Sequence, residues 1–439
     1  MTTSVANEPA PCALPGTPLA RASAGLDACV HCGFCLQSCP TYVALEDEND
    51  SPRGRLLLMR SLLDGSLSID DPAGRGHFDK CLGCRACETV CPSGVPYGHL
   101  LEATRATLNQ RRPLPRVARL LLAAFARPFL MRSAMLAARA LRATRLADGL
   151  SRLLPGRLGF GLRMLEATRS TLHTEPYDVP RDGTLGAVAL LDGCVMAGLY
   201  ADTNAATART LSINGYRITA ARGQGCCGAL HAHAGDLAGA RAMAKRNLDA
   251  FERSSADFVV SNAAGCSAML KEYSRVLEDE PEWAARAVRL TERARDVTEL
   301  LAAAGPVQGG PIQARVTYDA PCHLLHAQRI VDPPLRVLAA VPGLTMVPLM
   351  DAEQCCGAAG IYNLLEPATS AAVLEPKLAH IRDTGAVFVA TGNPGCLMQI
   401  GAGLRRDGSA TRAVHPVDLL DASYAACFNS GPSTKRSAG

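Results

Sequence analysis

The residues with the clearest chemistry in this sequence are two groups of four cysteines that share one spacing. Residues 29–40 and residues 81–92 both follow the pattern C-x2-C-x2-C-x3-C-P. Where such motifs bind a pair of 4Fe–4S clusters, three thiolates of a motif hold one cluster and the fourth holds the other. The pattern therefore predicts two clusters with exchanged ligands, one bound by Cys29, Cys32, Cys35 and Cys91 and the other by Cys81, Cys84, Cys87 and Cys39.

A pair of structural zinc sites is the main alternative for these cysteines. Zinc takes four ligands, commonly as two separated C-x2-C pairs, and requires neither a third cysteine two residues further on nor a proline after the fourth. The repeated motif therefore favours clusters over zinc. His31 lies inside the first motif and is predicted to be exposed or to lie beside the ligands rather than to be one.

The segments that must position these cysteines have helical patterns. Ser51, Pro52 and Gly65 fit the N-cap, the first position and the end of one helix, and a second helical pattern covers about residues 97–110. Because strand-type alternation is missing here, residues 21–110 are predicted to form an all-helical two-cluster ferredoxin domain.

An arginine-rich segment follows. Between Arg111 and Arg163 the chain carries twelve arginines and one acidic residue, Asp148, among many apolar residues. Such basic amphipathic helices can lie on an anionic membrane surface, or their basic face can be solvated while they pack on a neighbouring domain or an acidic subunit, and the pattern fits both equally. Prolines should divide the segment into short helices: Pro113, Pro115, Pro128 and Pro155.

Length and composition define the class of protein. A chain of 439 residues exceeds one ordinary domain, and 20% charged residues, 48% hydrophobic residues and a net charge of +4 are typical of a soluble globular protein. The low aromatic content and the lack of a recognition motif argue against nucleic acid as a partner. The first 18 residues lack the pattern of a secretory signal, so the 18 cysteines predict metal or redox chemistry in the cytoplasm. No apolar run reaches the ~18 residues of a membrane span, hence any membrane contact is predicted to be peripheral.

The carboxy-terminal part of the chain contains a duplicated cysteine pattern. Its two copies are offset by 128, 129 and 130 residues at three separate features, which indicates internal duplication into two similar lobes. The first copy consists of Cys194, Cys226, Cys227 and Cys266, and the second of Cys322, Cys355, Cys356 and Cys396.

Short apolar runs precede Cys194, Cys266, Cys322 and Cys396, and helical patterns follow most of them. Strands that alternate with helices predict parallel α/β lobes, in which loops at the carboxyl ends of strands gather into one site. The four cysteines of a lobe could then converge. A glycine after each adjacent pair permits a turn that aims both sulfurs the same way. The thiols could bind a cluster or zinc, form a redox-active set, or serve a structural role, and the sequence leaves these alternatives open.

The resulting domain organisation has six segments: a flexible N-terminus (1–20), the ferredoxin domain (21–110), an Arg-rich helical linker (111–183), the first cysteine-rich lobe (184–305), the second cysteine-rich lobe (313–428) and a flexible tail (429–439).

With these features in place, the sequence resembles the iron–sulfur subunits of glycolate oxidase over nearly its whole length. The resemblance extends beyond the cysteine spacing to several further stretches: Cys39-Pro-Thr-Tyr42, Ser51-Pro-Arg-Gly-Arg55, Cys87-Glu-Thr-Val-Cys-Pro-Ser-Gly94, Arg112-Pro-Leu-Pro115, Asn204-Ala-Ala-Thr-Ala-Arg209, Gly265-Cys266, Lys271-Glu-Tyr273 and His326-Ala-Gln328.

The resemblance implies an electron-transfer subunit without catalytic residues of its own. Its partners would be FAD-containing glycolate oxidase subunits that convert glycolate to glyoxylate, with electrons leaving toward a quinone-side acceptor. It also implies a cytoplasmic complex at the inner face of the cell membrane, where the Arg-rich segment could make contact.

Two related readings compete with this one. The corresponding subunit of an anaerobic glycerol-3-phosphate or lactate dehydrogenase shares the cysteine framework, and the cysteine-rich lobes could act as a thiol–disulfide reductase. In the related heterodisulfide reductases the last motif of a lobe ends in C-x-x-C, whereas here it reads Cys266-Ser-Ala-Met269 and Cys396-Leu-Met-Gln399. One ligand is missing from each lobe, which argues against the unusual clusters of those enzymes and leaves one four-thiolate site per lobe.

Overall fold

The computed structural model describes residues 12–429 except for residues 145, 155, 171, 173, 175, 176, 180 and 181. The chain divides into two compact units. The first comprises Met1–Pro115 and Ala232–Asp236, and the second comprises Arg116–His231 and Leu237–Gly439. The predicted ferredoxin domain thus lies in the first unit, and both predicted lobes lie in the second apart from residues 232–236.

The described residues of the first unit form helices and connecting loops, as predicted. A short 3-10 helix, Glu48–Asp50, lies between the third and fourth of seven α-helices: α1 (Pro18–Ala22), α2 (Ala24–Asp27), α3 (Pro40–Leu45), α4 (Pro52–Asp64), α5 (Pro72–Asp79), α6 (Ala86–Thr89) and α7 (Tyr97–Arg111).

The fourth helix begins and ends where its sequence predicts. The Ser51 hydroxyl accepts a hydrogen bond from the Gly54 amide at 2.9 Å, and Pro52 occupies the first helical position. Gly65 ends the helix with a left-handed φ of +81°, which glycine adopts without strain. Only glycine fits at position 54, because a Cβ there would collide with the carbonyl of Glu48.

One apolar core joins these helices. It includes Leu19, Met59, Phe78 and Leu100, all with no exposed surface, and Cys81 and Cys87 lie at its edge. The sequence predicts a flexible N-terminus over residues 1–20, and residues 1–11 of it lie outside the described chain. Residues 13–20 are packed instead, since Leu19 belongs to this core and the Ala13 amide donates to the Leu63 carbonyl at 2.7 Å.

The Arg-rich segment enters the second unit at Arg116 and forms four helices. Helices α8 and α9 are separated at Pro128, whereas Pro155 lies outside the described residues. No single helix in the described chain has both the length and the apolar character of a membrane span; α8 and α9 reach them only together and are bent by 102°. The four helices are α8 (Arg116–Ala126), α9 (Pro128–Ala143), α10 (Leu146–Leu153) and α11 (Gly156–Glu166).

The first lobe alternates strands and helices: β1 (Ala187–Leu190), α12 (Val195–Leu199), α13 (Ala201–Ile213), β2 (Arg217–Thr219), α14 (Ala229–His233), α15 (Leu237–Arg253), β3 (Phe258–Ser261), α16 (Ala264–Lys271), α17 (Tyr273–Val276), α18 (Pro281–Arg293), β4 (Ala294–Asp296) and α19 (Val297–Ala304).

The second lobe repeats this alternation, with a π-helical turn at His323–Ala327: β5 (Ala314–Tyr318), α20 (Asp332–Ala339), β6 (Leu344–Val347), α21 (Tyr362–Leu365), α22 (Pro367–Asp383), β7 (Phe388–Ala390), α23 (Pro394–Arg406), β8 (Arg412–Val414) and α24 (Pro416–Asn429).

Each lobe is built on a four-stranded parallel sheet. The strand order is β2-β1-β3-β4 in the first lobe and β6-β5-β7-β8 in the second, so the two sheets have the same topology. The duplicated α/β architecture predicted from the sequence is therefore confirmed. The first and third strands of each lobe are central and end next to the cysteine loops, as expected where strand ends gather into one site.

The two lobes share a core. Val188 and Leu300 of the first lobe and Val337 and Leu420 of the second belong to one cluster of buried side chains. The packing is reciprocal, because α13 lies against α24 while α19 lies against α20. Each lobe thus places its last helix on the early helix of the other.

Candidate metal centres

The first cavity of the ferredoxin domain brings together Cys29, Cys32, Cys35 and Cys91. Cys32 is exposed and the other three thiols are half-buried. His31 is exposed and lines the same cavity, and its backbone has a left-handed φ of 53°. Cys87 also lines this cavity, so the cavity contains the four ligands predicted for one cluster together with one cysteine predicted for the other.

The second cavity brings together Cys39, Cys81, Cys84 and Cys87, and all four are buried. The first cavity therefore contains three cysteines of the first motif and two of the second, and the second cavity contains three of the second motif and one of the first. Four convergent sulfurs fit an iron–sulfur cluster, and the arginines that line the cavities, Arg53 in the first and Arg55 and Arg85 in the second, suit its negative charge. The two sites differ in the exposure of their cysteines, since Cys32 of the first is exposed and Cys39, Cys81, Cys84 and Cys87 of the second are all buried.

Burial keeps several of these thiols protonated in the metal-free chain. It raises the pKa of Cys35 to about 11 and the pKa of Cys87 well above its usual value. Since only thiolates bind iron, uptake of metal at these sites must release protons.

Polar groups surround the second cavity. The Tyr97 hydroxyl donates to Cys81 Sγ at 3.6 Å, and the Gly83 amide donates to the same sulfur at 3.5 Å. Thr41 Oγ1 lies 3.2 Å from Cys39 Sγ. These contacts orient the ligands and place hydrogen-bond donors beside their sulfurs.

Arg55 also lines the second cavity. Its guanidinium is fully buried and donates to Thr41 Oγ1 (3.1 Å), to the His77 carbonyl (2.7 Å) and to Asp50 Oδ1 (3.2 Å). Asp50 also accepts from Lys80 Nζ at 2.9 Å and lies 2.9 Å from His77 Nδ1. Sequence reasoning missed this network, although an arginine on the apolar face of a predicted helix could have signalled it.

In the first lobe, four thiols form a row. Cys194 is hydrogen-bonded to Cys226, Cys226 to Cys227, and Cys227 to Cys266. Hydrogen bonds from both neighbouring thiols lower the pKa of Cys226, whereas the thiol pKa values of Cys194 and Cys227 are raised.

The second lobe repeats the row. Cys322 is hydrogen-bonded to Cys355, Cys355 to Cys356, and Cys356 Sγ lies 3.1 Å from Cys396 Sγ. Both predicted sets of four cysteines are thus brought together. Cys12 and Cys427 are exposed and lie outside all four sets.

One further group of possible metal ligands lies in the ferredoxin domain. Among the described residues, Asp47, Asp50 and His77 form the one group of three or more such side chains whose ligand atoms lie within 4.8 Å of one another. Asp50 is already engaged by Arg55 and Lys80, so that group belongs to the ion-pair network.

The two rows lie close together. The Asn393 side chain donates to Cys396 Sγ at 3.6 Å and accepts from the Gly265 amide at 3.3 Å, next to Cys266. Cys266 also packs against the buried side chains of Met196 and Leu397. The last cysteine of each lobe therefore lies at the lobe interface.

Comparisons with known proteins agree with this division of the chain. Residues 25–95 match the 4Fe-4S dicluster domain, and residues 188–271 and 316–401 each match the cysteine-rich domain known as CCG. The fold and the sites thus define an iron–sulfur protein of the oxidoreductase class, built from a ferredoxin-type region and a duplicated cysteine-rich domain.

Individual relatives narrow the assignment. The probable glycolate oxidase iron–sulfur subunit of Bacillus subtilis is 36% identical over 89% of this chain and 92% of its own length. The glycolate oxidase iron–sulfur subunit of Escherichia coli is 34% identical over 84% and 88%. The chain belongs to the family of glycolate oxidase iron–sulfur subunits.

Two further similarities are weaker. Lactate utilization protein A of Geobacillus kaustophilus is 32% identical over 54% of this chain and 98% of its own length. A hypothetical protein of Helicobacter pylori of known structure covers 72% of this chain at a TM-score of 0.41 and 11% identity, which is too low to bear on the fold.

Proposed function

We propose that this protein is the electron-transfer subunit of a flavin-dependent complex that oxidises glycolate to glyoxylate. The observation that carries the proposal is the pair of cavities in which cysteines of the two motifs meet. When bound, each cluster takes up and releases one electron at a time, which suits a partner flavin that is reduced by two electrons. We assign no catalytic residue for glycolate to this chain.

The residues around the first cavity support it as the point of approach for a redox partner. Val30 and Phe34, neighbours of Cys29 and Cys35, are each 68% exposed, and Cys32 is exposed between them. By contrast, Leu82, the neighbour of Cys81, is buried. The FAD-containing subunit would meet the apolar rim of the first cavity, and a quinone-side acceptor would take the electrons from the complex.

The interior of the domain stabilises charge at the second cavity. Hydrogen bonds from Tyr97 and Gly83 to Cys81 Sγ, and the buried cation of Arg55, favour the more negative state of whatever the four thiolates hold.

We further propose that each cysteine row in the lobes binds an additional cluster. Four convergent thiols support metal binding, with zinc as the alternative to a cluster. A redox-active set of thiols and a structural role are the alternatives.

The test is the iron content and EPR spectrum of the anaerobically purified full chain. About eight iron atoms mean the ferredoxin clusters alone, about twelve one further cluster, and about sixteen one in each lobe. Cys32→Ser should lose the signal of one ferredoxin cluster, whereas Cys12→Ser, also at an exposed cysteine, should lose none. Glycolate turnover by this chain without a flavoprotein would contradict the electron-transfer role.

Lactate is the second candidate substrate of the partner, because lactate utilization protein A is similar over 54% of this chain. The flavoprotein partner decides between them. Reconstitution with a glycolate-oxidising flavoprotein should restore glycolate-dependent reduction of the bound iron, and reduction only by a lactate-oxidising partner would reverse the assignment. The same assay with glycerol-3-phosphate tests the third donor.

We also propose that the complex works in the cytoplasm at the inner face of the cell membrane, where a quinone-side acceptor is accessible. Cell fractionation followed by immunodetection checks this location.

A further inference from the structure

Helices α8 to α11 expose an unusual number of large apolar side chains. Six of them are each at least 60% exposed: Leu120, Phe129, Leu136, Leu146, Leu153 and Leu158. Isolated exposed leucines are common on protein surfaces, but a concentration of this kind marks an interaction surface.

The ninth helix shows how this surface is organised. Phe129 and Leu136 are seven residues apart and share one face with Arg132 and Arg139. The opposite face contains the buried Met131 and packs on α12 of the first lobe. The helix is therefore held on one side and presents alternating apolar and cationic side chains on the other.

The tenth helix has a similar apolar stripe. Leu146, Leu150 and Leu153 are spaced at i, i+4 and i+7, and all three are exposed. Ala147 and Ser151 on the other side are buried. Since α9 packs on α8, α10 and α11, these helices form one layer on the lobes.

The charge of the layer is almost all positive. Asp148 and Glu166 are the acidic residues of the four helices, and each is paired with an arginine, Arg152 and Arg169 respectively. The remaining arginines give the outer surface a net positive charge.

We propose, building on the membrane location proposed above, that the outer face of α8 to α11 lies on the surface of a membrane that contains anionic phospholipids. Leucine and phenylalanine side chains would enter the boundary of the acyl chains, and the interleaved arginines would bind lipid phosphates. An acidic protein surface would satisfy the arginines alone, whereas a lipid interface satisfies both kinds of side chain at one depth. The bend of 102° between α8 and α9 leaves each helix too short to cross a bilayer, which needs about 20 residues, so the helices lie along the surface.

The experiment is sedimentation of the anaerobically purified full chain with vesicles. Vesicles of phosphatidylcholine with about one third phosphatidylglycerol should bind the protein at least tenfold more tightly than phosphatidylcholine alone, and high salt should weaken the binding. Phe129→Ser/Leu136→Ser and Arg132→Glu/Arg139→Glu should each reduce binding tenfold or more. Leu335→Ser/Arg336→Glu on α20, which replaces two exposed residues of the same types, should leave it unchanged.

Hydrogen exchange of the unmodified chain provides a test that does not depend on variants. Amides of α8 to α11 should exchange more slowly when anionic vesicles are added. Equal binding to both kinds of vesicle, binding that is insensitive to both pairs of substitutions, or protection of these helices by a flavoprotein subunit and not by vesicles would overturn the proposal. Iron content serves as the check that each variant retains its ferredoxin domain.

Discussion

Arg55 is a fully buried charged side chain whose partners come from three separate parts of the chain. It binds Thr41 near the end of the first cysteine motif, Asp50 in the 3-10 helix and the His77 carbonyl just before the second motif. A buried cation is stable only when its donors are satisfied and its charge is balanced. Arg55 therefore fixes the segments that lead into both motifs.

Replacing Arg55 with leucine should be costly because it leaves Asp50 buried with an incomplete set of partners. The expected loss is about 3–5 kcal/mol in the opening free energy of α4, measured by amide hydrogen exchange. Arg53→Leu is the matched control: Arg53 is two residues away and pairs with Glu48 at the surface, so a loss within about 1 kcal/mol is expected. Equal effects of the two substitutions would contradict a structural role for the buried guanidinium.

The Tyr97 hydroxyl offers a test of the surroundings of the second cavity. Tyr97→Phe removes the donor to Cys81 Sγ and should lower the reduction potential of one cluster by roughly 20–65 mV, the equivalent of a hydrogen bond worth about 0.5–1.5 kcal/mol. A redox titration followed by EPR measures this change. Tyr42→Phe on α3 should leave both potentials unchanged, and an equal shift from Tyr42→Phe would show that the hydrogen bond to Cys81 is not the cause.

At the scale of elements, the turns that carry adjacent cysteines depend on glycine. Gly228 and Gly357 follow Cys227 and Cys356 with φ values of +93° and +81°. A Cβ at Gly357 would lie 2.6 Å from the Ser370 carbonyl oxygen, whereas at Gly228 the nearest atom, the Ala240 carbonyl oxygen, would be 3.2 Å away.

Gly357→Ala should therefore be more harmful than Gly228→Ala. Both substitutions carry a conformational cost of about 1–2 kcal/mol for a left-handed residue with a side chain, and only Gly357→Ala adds a backbone collision. Urea denaturation followed by circular dichroism should rank the variants in that order. The reverse order would mean that the two turns are not equivalent in the way their geometry indicates.

Helix α19 begins with a carboxylate that is buried. Asp296 caps the helix by accepting from the Thr298 amide at 2.9 Å, and it is 3% exposed. Burial raises the pKa of Asp296 to about 6, from an ordinary value of 3.8. The folded chain thus keeps this proton up to about pH 6 while the unfolded chain releases it near pH 4, so the stability it contributes is lost as the pH rises through that window.

Asp296→Asn retains the cap without the charge. The variant should gain roughly 1–3 kcal/mol over the parent chain between pH 4 and pH 7, with most of the gain present above pH 6. Urea denaturation at several pH values measures the difference. Asp279→Asn, at an exposed carboxylate paired with Arg241, controls for the loss of a surface charge. A difference in stability that does not change with pH would contradict the raised pKa of Asp296.

Local chemistry explains which elements the sequence could predict. The ends of α4 follow from Ser51, Pro52 and Gly65, and the strands before the cysteines follow from short β-branched runs that end in small residues. Helix α1 has five residues, too few for a periodic pattern, and its Leu19 is buried by residues distant in the chain. The burial of Arg55 likewise depends on Asp50 and His77, and no local pattern reports such partners.

At the scale of the whole molecule, the duplicated lobes share a topology but differ in their interior. Asp319 and Lys377 of the second lobe form an ion pair of 2.7 Å in which both side chains are 2% exposed. The equivalent positions of the first lobe, 128 and 130 residues earlier, are Leu191 and Asn247, which are also buried. Asn247 instead donates to the Cys226 carbonyl at 3.0 Å.

The residues of the first lobe, Leu191 and Asn247, therefore suggest the double substitution Asp319→Leu/Lys377→Asn in the second lobe. Lys377→Asn alone should cost about 3–5 kcal/mol because it leaves Asp319 charged and buried. Asp319→Leu/Lys377→Asn should recover most of that loss, as measured by urea denaturation. Arg406→Met, which removes a partly exposed partner of Glu375, is expected to cost within about 1 kcal/mol. A double variant as unstable as the sum of the single variants would mean that the pair is not coupled.

The duplication was visible in the cysteine spacing, and so was the meeting of cysteines from both ferredoxin motifs. The meeting of the two cysteine rows at the lobe interface was not, because it depends on Asn393 and Gly265 of different lobes. Such contacts form between the surfaces of two lobes, and the sequence of one lobe does not reveal which surface of the other lobe packs against it.

The reciprocal packing of α13 on α24 and of α19 on α20 has a consequence for the origin of the protein. A single ancestral lobe with both surfaces would have been complementary to itself, and two copies would have closed into a two-fold symmetric homodimer. Fusion of two such genes keeps that dimer in one chain and allows each half to mutate separately. After such a fusion one half can carry Leu191 and Asn247 while the other carries Asp319 and Lys377.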